Sequence, residues 1–333
     1  MSTDGAEPGA ATPATPATPA APGTTPATPP RRRLATRHRV IAFIVLAVLV
    51  YAASVTLYAS SGRVGSTGEP ETPKPGGVTV IMSPQAVDAV GQTITMEVTI
   101  KPSAELDDPE SIGPKNPISI IISPVAGNQV VDFAADAIPG TQNVKVLTSG
   151  EVETWPFDHY SVGPGTDDPG VAVIAYTTVD GVKESVPTTI FMTGSLPGWT
   201  LGASLATSSN TTVTTADGVQ PVPFVDLTAH RSASTLAFAL VLLSLLVVMP
   251  VLVLFVAITA YRGKRKVEAS FNSWMGAMLF ATIPLRTFLP GSPPIGSWID
   301  FLIVLWVIVG LVTGLAIYVA AWYRWGTSAT PRV

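Results

Sequence analysis

The stretch TLAFALVLLSLLVVMPVLVLFVAITA, residues 235–260, carries no charge in twenty-six positions and runs straight into Tyr261, Arg262, Gly263, Lys264, Arg265 and Lys266. As a helix it extends about 39 Å at about 1.5 Å per residue, more than a hydrocarbon core of roughly 30 Å. It reads as a membrane span that ends in a basic loop. A tail, a single apolar anchor and a polar domain lie ahead of it, and two further apolar runs lie behind.

The composition fits such a division. Only 13% of the 333 residues are charged, against about 25% in an ordinary soluble domain. The charge is also segregated. Residues 61–231 hold nineteen Asp or Glu against seven Lys or Arg, a balance of −12, whereas eleven of the nineteen basic residues fall in 31–39, 262–266 and 324–332. There is no cysteine, which excludes disulfides, thiolate metal centres and cysteine nucleophiles. Residues 78–230 must therefore cohere through an apolar core, which a domain of roughly 150 residues can build.

In chain order, residues 1–39 form an Ala-, Thr- and Pro-rich tail, read as disordered and cytoplasmic, that ends in a basic cluster at Arg31, Arg32, Arg33, Arg37 and Arg39. The apolar run at 40–58 reads as a first transmembrane helix. A cleaved secretory signal is the alternative, but its apolar region is usually 7–15 residues. Residues 59–77 are a Gly-, Pro- and Thr-rich linker. From Val78 the pattern turns to short β-type runs at 78–82, 93–100, 118–122 and 171–179. Asp180-Gly181 predicts a type I′ turn closing a hairpin of 171–179 with 182–192, and Asp217-Gly218 a second between 211–215 and 219–228. With no amphipathic helix in 78–230, the domain reads as all-β, a sandwich of seven to ten strands.

After the span at 235–260 come a basic loop at 261–270, a weaker apolar run at 271–289, a Pro-rich turn at 290–300, a clean span at 301–322 and a tail at 323–333. Basic residues favour the cytoplasmic side, so four spans with both termini inside, and 60–233 outside, satisfy all three basic clusters. The fold class expected is thus a membrane protein with an extracytoplasmic β-sandwich inserted between a first helix and a three-helix transmembrane bundle. Arg31–Arg39 and Arg262–Lys266 are expected to lie against anionic lipid headgroups. Nucleic-acid binding is not expected from so short a basic stretch.

Outside the apolar runs, Trp155-Pro156-Phe157-Asp158-His159-Tyr160 is the most distinctive stretch. Pro156 cannot donate to a sheet ladder, so it marks a strand end or an edge. Trp155, Phe157 and Tyr160 are expected to wedge into the sandwich core while Asp158 accepts backbone N–H groups, with a partner site as the sharper reading. Catalysis by Asp158 and His159 is the weakest, because adjacent strand residues point to opposite faces. In the membrane region, Arg286 near the outer end of the third span and Asp300 near the start of the fourth are placed to pair. An Arg286 that simply snorkels to the outer headgroups is the first expectation, the pair with Asp300 the second and a role in conduction the third. Gly310 and Gly314 form a small-xxx-small step for helix packing, expected against the third span, which offers Gly276, Ala277 and Ala281; self-association is the other reading. The acids at 105–110 and Asp167-Asp168 lack the spacing of a calcium loop. No Gly-rich phosphate loop, Gly-x-Ser-x-Gly elbow or His-Glu-x-x-His occurs, so no catalytic residue, metal or cofactor is expected.

The Trp155–Tyr160 hexapeptide, the run NSWMGAMLFA at 272–281 and the run LPGSPPIGSWID at 289–300 together resemble an actinobacterial family of membrane proteins, the domain of unknown function 4436 family, over residues 40–326. The resemblance implies a membrane location and an extracytoplasmic domain, and brings no catalytic residue with it. A Pro-Phe-Asp turn also occurs in the β-sandwich ectodomains of pentameric ligand-gated channels, which likewise precede membrane helices. This chain has a span before the sandwich and three after it. The expectation is a non-enzymatic envelope protein whose sandwich binds a protein or cell-wall partner; a subunit of an oligomeric channel or transporter is the second reading, and an envelope enzyme the third.

Overall fold

The computed structural model describes residues 72–110, 112–163, 170–215 and 218–325, with scattered helical positions between 41 and 56. The tail, the basic cluster at 31–39, most of the first expected span, Asp167, Asp168, Asp217 and residues 326–333 lie outside the described residues. The chain divides into two compact units, Met1–Val50 and Tyr51–Val333. In the first, positions 41, 42, 44, 45, 48 and 49 are helical and exposed.

Alternating burial is what makes the β domain. Val78, Val80 and Met82 of β1 (Val78–Asp88), Ile94, Met96, Val98 and Ile100 of β2 (Thr93–Pro102), and Ile118, Ile120 and Ile122 of β3 (Ile118–Ser123) are all buried. Each set is spaced by two, so it lines one face of its sheet. The remaining strands are β4 (Val130–Phe133), β5 (Gln142–Leu147), β6 (Ser149–Gly150), β7 (His159–Val162), β8 (Val171–Val179), β9 (Val182–Val186), β10 (Thr188–Met192), β11 (Trp199–Thr215) and β12 (Gly218–Arg231). They form a four-stranded sheet, β10-β1-β2-β5, and an eight-stranded sheet, β4-β3-β8-β9-β11-β12-β7-β6, with β8 also pairing β12. The twelve strands among the described residues exceed the seven to ten expected, because Pro187 divides one expected arm and the short strands β4 to β7 add to the runs expected from the sequence.

The Asp180-Gly181 hairpin forms, with both residues at positive φ (+49° and +82°). Its second arm is shorter than the sequence suggested. Pro187 has no N–H for the ladder, so the strand ends at Val186, and β10 crosses to the other sheet beside β1 in parallel register. The β11–β12 hairpin is longer than expected and pairs Trp199 with Arg231 at its base.

At that base the sheet becomes helix without a linker. Arg231 ends β12, and Ser232 caps α1 (Ala233–Tyr261) by accepting from the Thr235 N–H. Then follow α2 (Ala269–Thr287) and α3 (Leu305–Trp325), the latter led by a π-turn, Asp300–Val304. Two helical segments among the described residues, Ala233–Tyr261 and Asp300–Trp325, are long and apolar enough to cross a membrane. The helix between them is less apolar, carrying Asn272, Ser273, Thr282 and Arg286.

Almost every side chain of α1 is apolar, yet only Ala239, Leu243, Leu246, Pro250, Val253, Ala257 and Ala260 are buried, alternating steps of four and three. Val307, Leu311, Gly314, Tyr318 and Ala321 of α3 repeat the pattern. Matching seams of this kind let two helices pack along their length. The close approach is at the glycines. A Cβ on Gly310 would come within 2.9 Å of Pro250, and one on Gly314 within 2.6 Å of Val253. The glycine step therefore packs on α1, the second expected span. This corrects the expectation that it faces α2, whose Gly276 opens on free space. At the far end the Trp325 indole donates to the Tyr261 carbonyl (3.1 Å), and the Tyr318 hydroxyl bonds both the N–H and C=O of Glu268 ahead of α2.

Candidate functional site

Three parts of the chain converge where β12 meets α1. Along β12, Leu227, Ala229 and Arg231 share the buried parity, so a guanidinium is turned inward on the last residue before the helix. Its partner comes from the turn ahead of β7. Asp158 is wholly buried, the Arg231 side chain is 4% exposed, and the guanidinium grips the carboxylate through Nε at 3.0 and 3.2 Å and Nη2 at 3.0 Å. The Tyr160 hydroxyl donates to the same carboxylate at 3.0 Å. Burial, reinforced by the Asp158 charge, pushes the Tyr160 phenol well above its ordinary value, so it remains a donor. The guanidinium also lies 4.4 Å from the Trp199 ring, which meets Tyr160 edge-on at 5.8 Å. Buried charges are tolerated when paired and hydrogen-bonded; here the charges are paired and every guanidinium nitrogen has an acceptor.

The third part is the turn between α2 and α3. The Pro290 carbonyl accepts from Arg231 Nη1 at 3.3 Å and from the Trp155 indole at 3.0 Å. Gly291, at φ +76°, stands where any Cβ would collide with the Arg231 guanidinium. Trp155 is buried among the helices, alongside Leu289 and Ile299, while Tyr160 belongs to the sandwich core. Phe157 is 67% exposed. These placements correct three expectations. Trp155 enters the helical core, Phe157 enters no core, and Asp158 accepts from a guanidinium and a phenol rather than from backbone N–H groups. The Trp155–Pro156 bond is cis. His159 is exposed and pairs with the exposed His230, whereas Asp158 beside it is buried.

Arg286 and Asp300 are brought together, 17% exposed each, in a paired contact at 3.1 and 2.9 Å. Arg286 also donates to the Pro293 and Pro294 carbonyls at 3.0 and 3.2 Å, and the Gly296 N–H donates to Asp300. Both arginines thus serve one turn. Pro290, Pro293 and Pro294 offer carbonyls but no N–H, so the turn has surplus acceptors, and two guanidinium groups supply the donors.

Arg231 and Trp199 were not singled out from the sequence. The readable signal was a charge on the buried parity of a strand running into an apolar helix, which requires a countercharge. Among the described residues no group of three or more His, Asp or Glu is placed to hold a metal ion.

Residues 68–220 match the family model described as Domain of unknown function (DUF4436), which agrees with the resemblance over the β domain. Residues 231–325 match a second, Domain of unknown function (DUF8686). The motifs at 272–281 and 289–300 lie under this second model rather than the first. The Asp158–Arg231 pair joins the two matched segments. No curated protein matches the chain.

Proposed function

We propose that this is a multi-pass plasma-membrane protein whose outward β-sandwich engages a protein or cell-wall partner without catalysing a reaction. The observation that carries the reading is the Asp158–Arg231–Pro290 joint, which ties the sandwich directly to α1 and to the α2–α3 turn. A sandwich on a flexible tether samples many orientations; one fixed through a buried ion pair presents the same face at a constant height. The acidic sandwich lies at one end of α1 and Arg262, Lys264, Arg265 and Lys266 at the other, in line with basic residues facing the cytoplasm. Exposed Trp298 and, at the opposite end of α3, Trp322 and Tyr323 suit the two membrane interfaces. In this topology both termini are cytoplasmic, and the basic stretches at 31–39 and 262–266 lie against anionic headgroups.

Cysteine labelling in intact cells tests the threading. A cysteine replacing Ser292 should react with an impermeant reagent and one replacing Ser270 should not; the reverse pattern overturns the proposal. Crosslinking from the sandwich should then recover one dominant envelope partner, and a random set of neighbours counts against partner binding.

A second reading, a subunit of an oligomeric channel or transporter, is favoured by α2. Its exposed residues include the polar Asn272, Ser273 and Thr287, poorly suited to lipid, among the apolar Phe280, Ile283 and, at its C-cap, Phe288. The native mass in detergent discriminates, because a strict monomer with so few spans has no pore to share.

A further inference from the structure

Between the last turns of α1 and the first turn of α2 lies an open groove of ≈ 900 Å³, floored by Phe255, Val256 and Phe271. Its volume is at the upper end of the roughly 300–1,000 Å³ typical of ligand sites. Lys264, Arg265 and Lys266 form its rim and are exposed, and neither ion pair among the described residues uses them. Glu268 is the one carboxylate on the rim, against three cations. No side chain caps the start of α2 beside it, so the positive end of that helix adds to the same field. Phe255 is 69% exposed and continues the apolar floor onto the outer surface of α1.

We infer that this groove seats one anionic glycerophospholipid. Its phosphodiester lies on Lys264, Arg265 and Lys266, and one acyl chain runs along Phe255, Val256 and Phe271. The charge selects the headgroup: a zwitterionic lipid would bring its own cation against three others, whereas a net anionic lipid does not. The apolar floor selects a lipid over a soluble phosphate, which has nothing to place there. The inference rests on the reading that α1 and α3 cross a membrane, and it deepens the general attraction of a basic loop for headgroups into one stoichiometric site.

The test uses the full chain, purified in neutral detergent, with phosphatidylglycerol or phosphatidylcholine of identical acyl chains added, and native mass spectrometry to count bound lipid. One phosphatidylglycerol should stay bound under conditions that strip phosphatidylcholine. Replacing Lys264, Arg265 and Lys266 by Gln should weaken its affinity by roughly fivefold per cation removed. Val256→Trp, which fills the floor and leaves every charge, should also displace it. Equal retention of the two lipids, indifference to either variant, or displacement by inorganic phosphate at matching concentration overturns the site. The lipid comparison on the unaltered chain decides even if a variant misfolds. Carbonate extraction of membranes separates the two levels: release of the chain defeats the membrane reading itself, and retention without lipid preference defeats only the site.

Discussion

Arg231 is the residue on which most of the joint depends, since its guanidinium bonds Asp158, faces Trp199 and reaches Pro290. Removing one partner of such a pair strands the other charge away from water. Asp158→Leu alone and Arg231→Met alone are therefore each expected to destabilise the chain by about 3–5 kcal/mol, while the two together should recover much of the loss. Chemical denaturation of the four members of the cycle measures this, and additive losses would deny the pairing. Asp226 behaves in the opposite sense. Burial raises its carboxyl above the ordinary 3.8, and Oδ1 has no hydrogen-bond partner. A folded-state pKa above the unfolded one means that the charged form opposes folding, so stability falls as pH rises from 3.8 through the raised value. Asp226→Asn should be more stable than the parent at neutral pH, with the gain vanishing below about pH 3.8. At this scale the sequence revealed Asp158 through its proline-aromatic setting. It hid Arg231, seventy-three positions away, because side-chain parity is readable only once the β12 register is known.

The helices gave the sequence a different difficulty. In α1 nearly every position is apolar, so hydrophobicity marks the element without marking its face, and the buried seam of steps four and three emerges only in the packing. The glycines of α3 were the available clue, and they pointed to close packing but not to the partner. That partner is α1, which has Pro250 and Val253 at the point of contact. Gly314→Leu must force the two helices apart, a cost of about 1–3 kcal/mol for overpacking. Gly276→Leu on α2 meets open space and should leave the melting temperature in detergent unchanged or higher, since glycine is a poor helix former. Equal destabilisation by both would mean that α3 does not use its glycines against α1. The strands were the most legible elements, because alternation with β-branched residues at 78–82, 93–100 and 118–122 survives in the sequence. Pro187 was equally visible, but its effect on the second hairpin arm depended on a neighbouring sheet ready to accept β10.

For the molecule as a whole, three side-chain hydrogen bonds among the described residues link the β domain to the helices from Ala233 onward: Arg231 and Trp155 to Pro290, and Thr235 to Gly198, where the hydroxyl donates at 3.0 Å. All three lie at one level of the structure, so they should open together rather than one at a time. Gly291 is the point at which to test this. Its positive φ and the guanidinium against it leave no room for a side chain, so Gly291→Val strains the backbone and pushes Arg231 off Pro290 without touching either core. Hydrogen exchange on the full chain should then show protection lost jointly at 155–160, 198–200 and 230–236, by roughly tenfold for each 1.4 kcal/mol of lost coupling. The central strands β1 and β2 and the α1–α3 seam should keep theirs. Faster exchange confined to 289–296 would mean that the turn moves alone and that sandwich and bundle are merely adjacent. Joint opening would make the turn, the strand end and the helix start one mechanical unit, through which binding on the sandwich is felt at the α2–α3 turn.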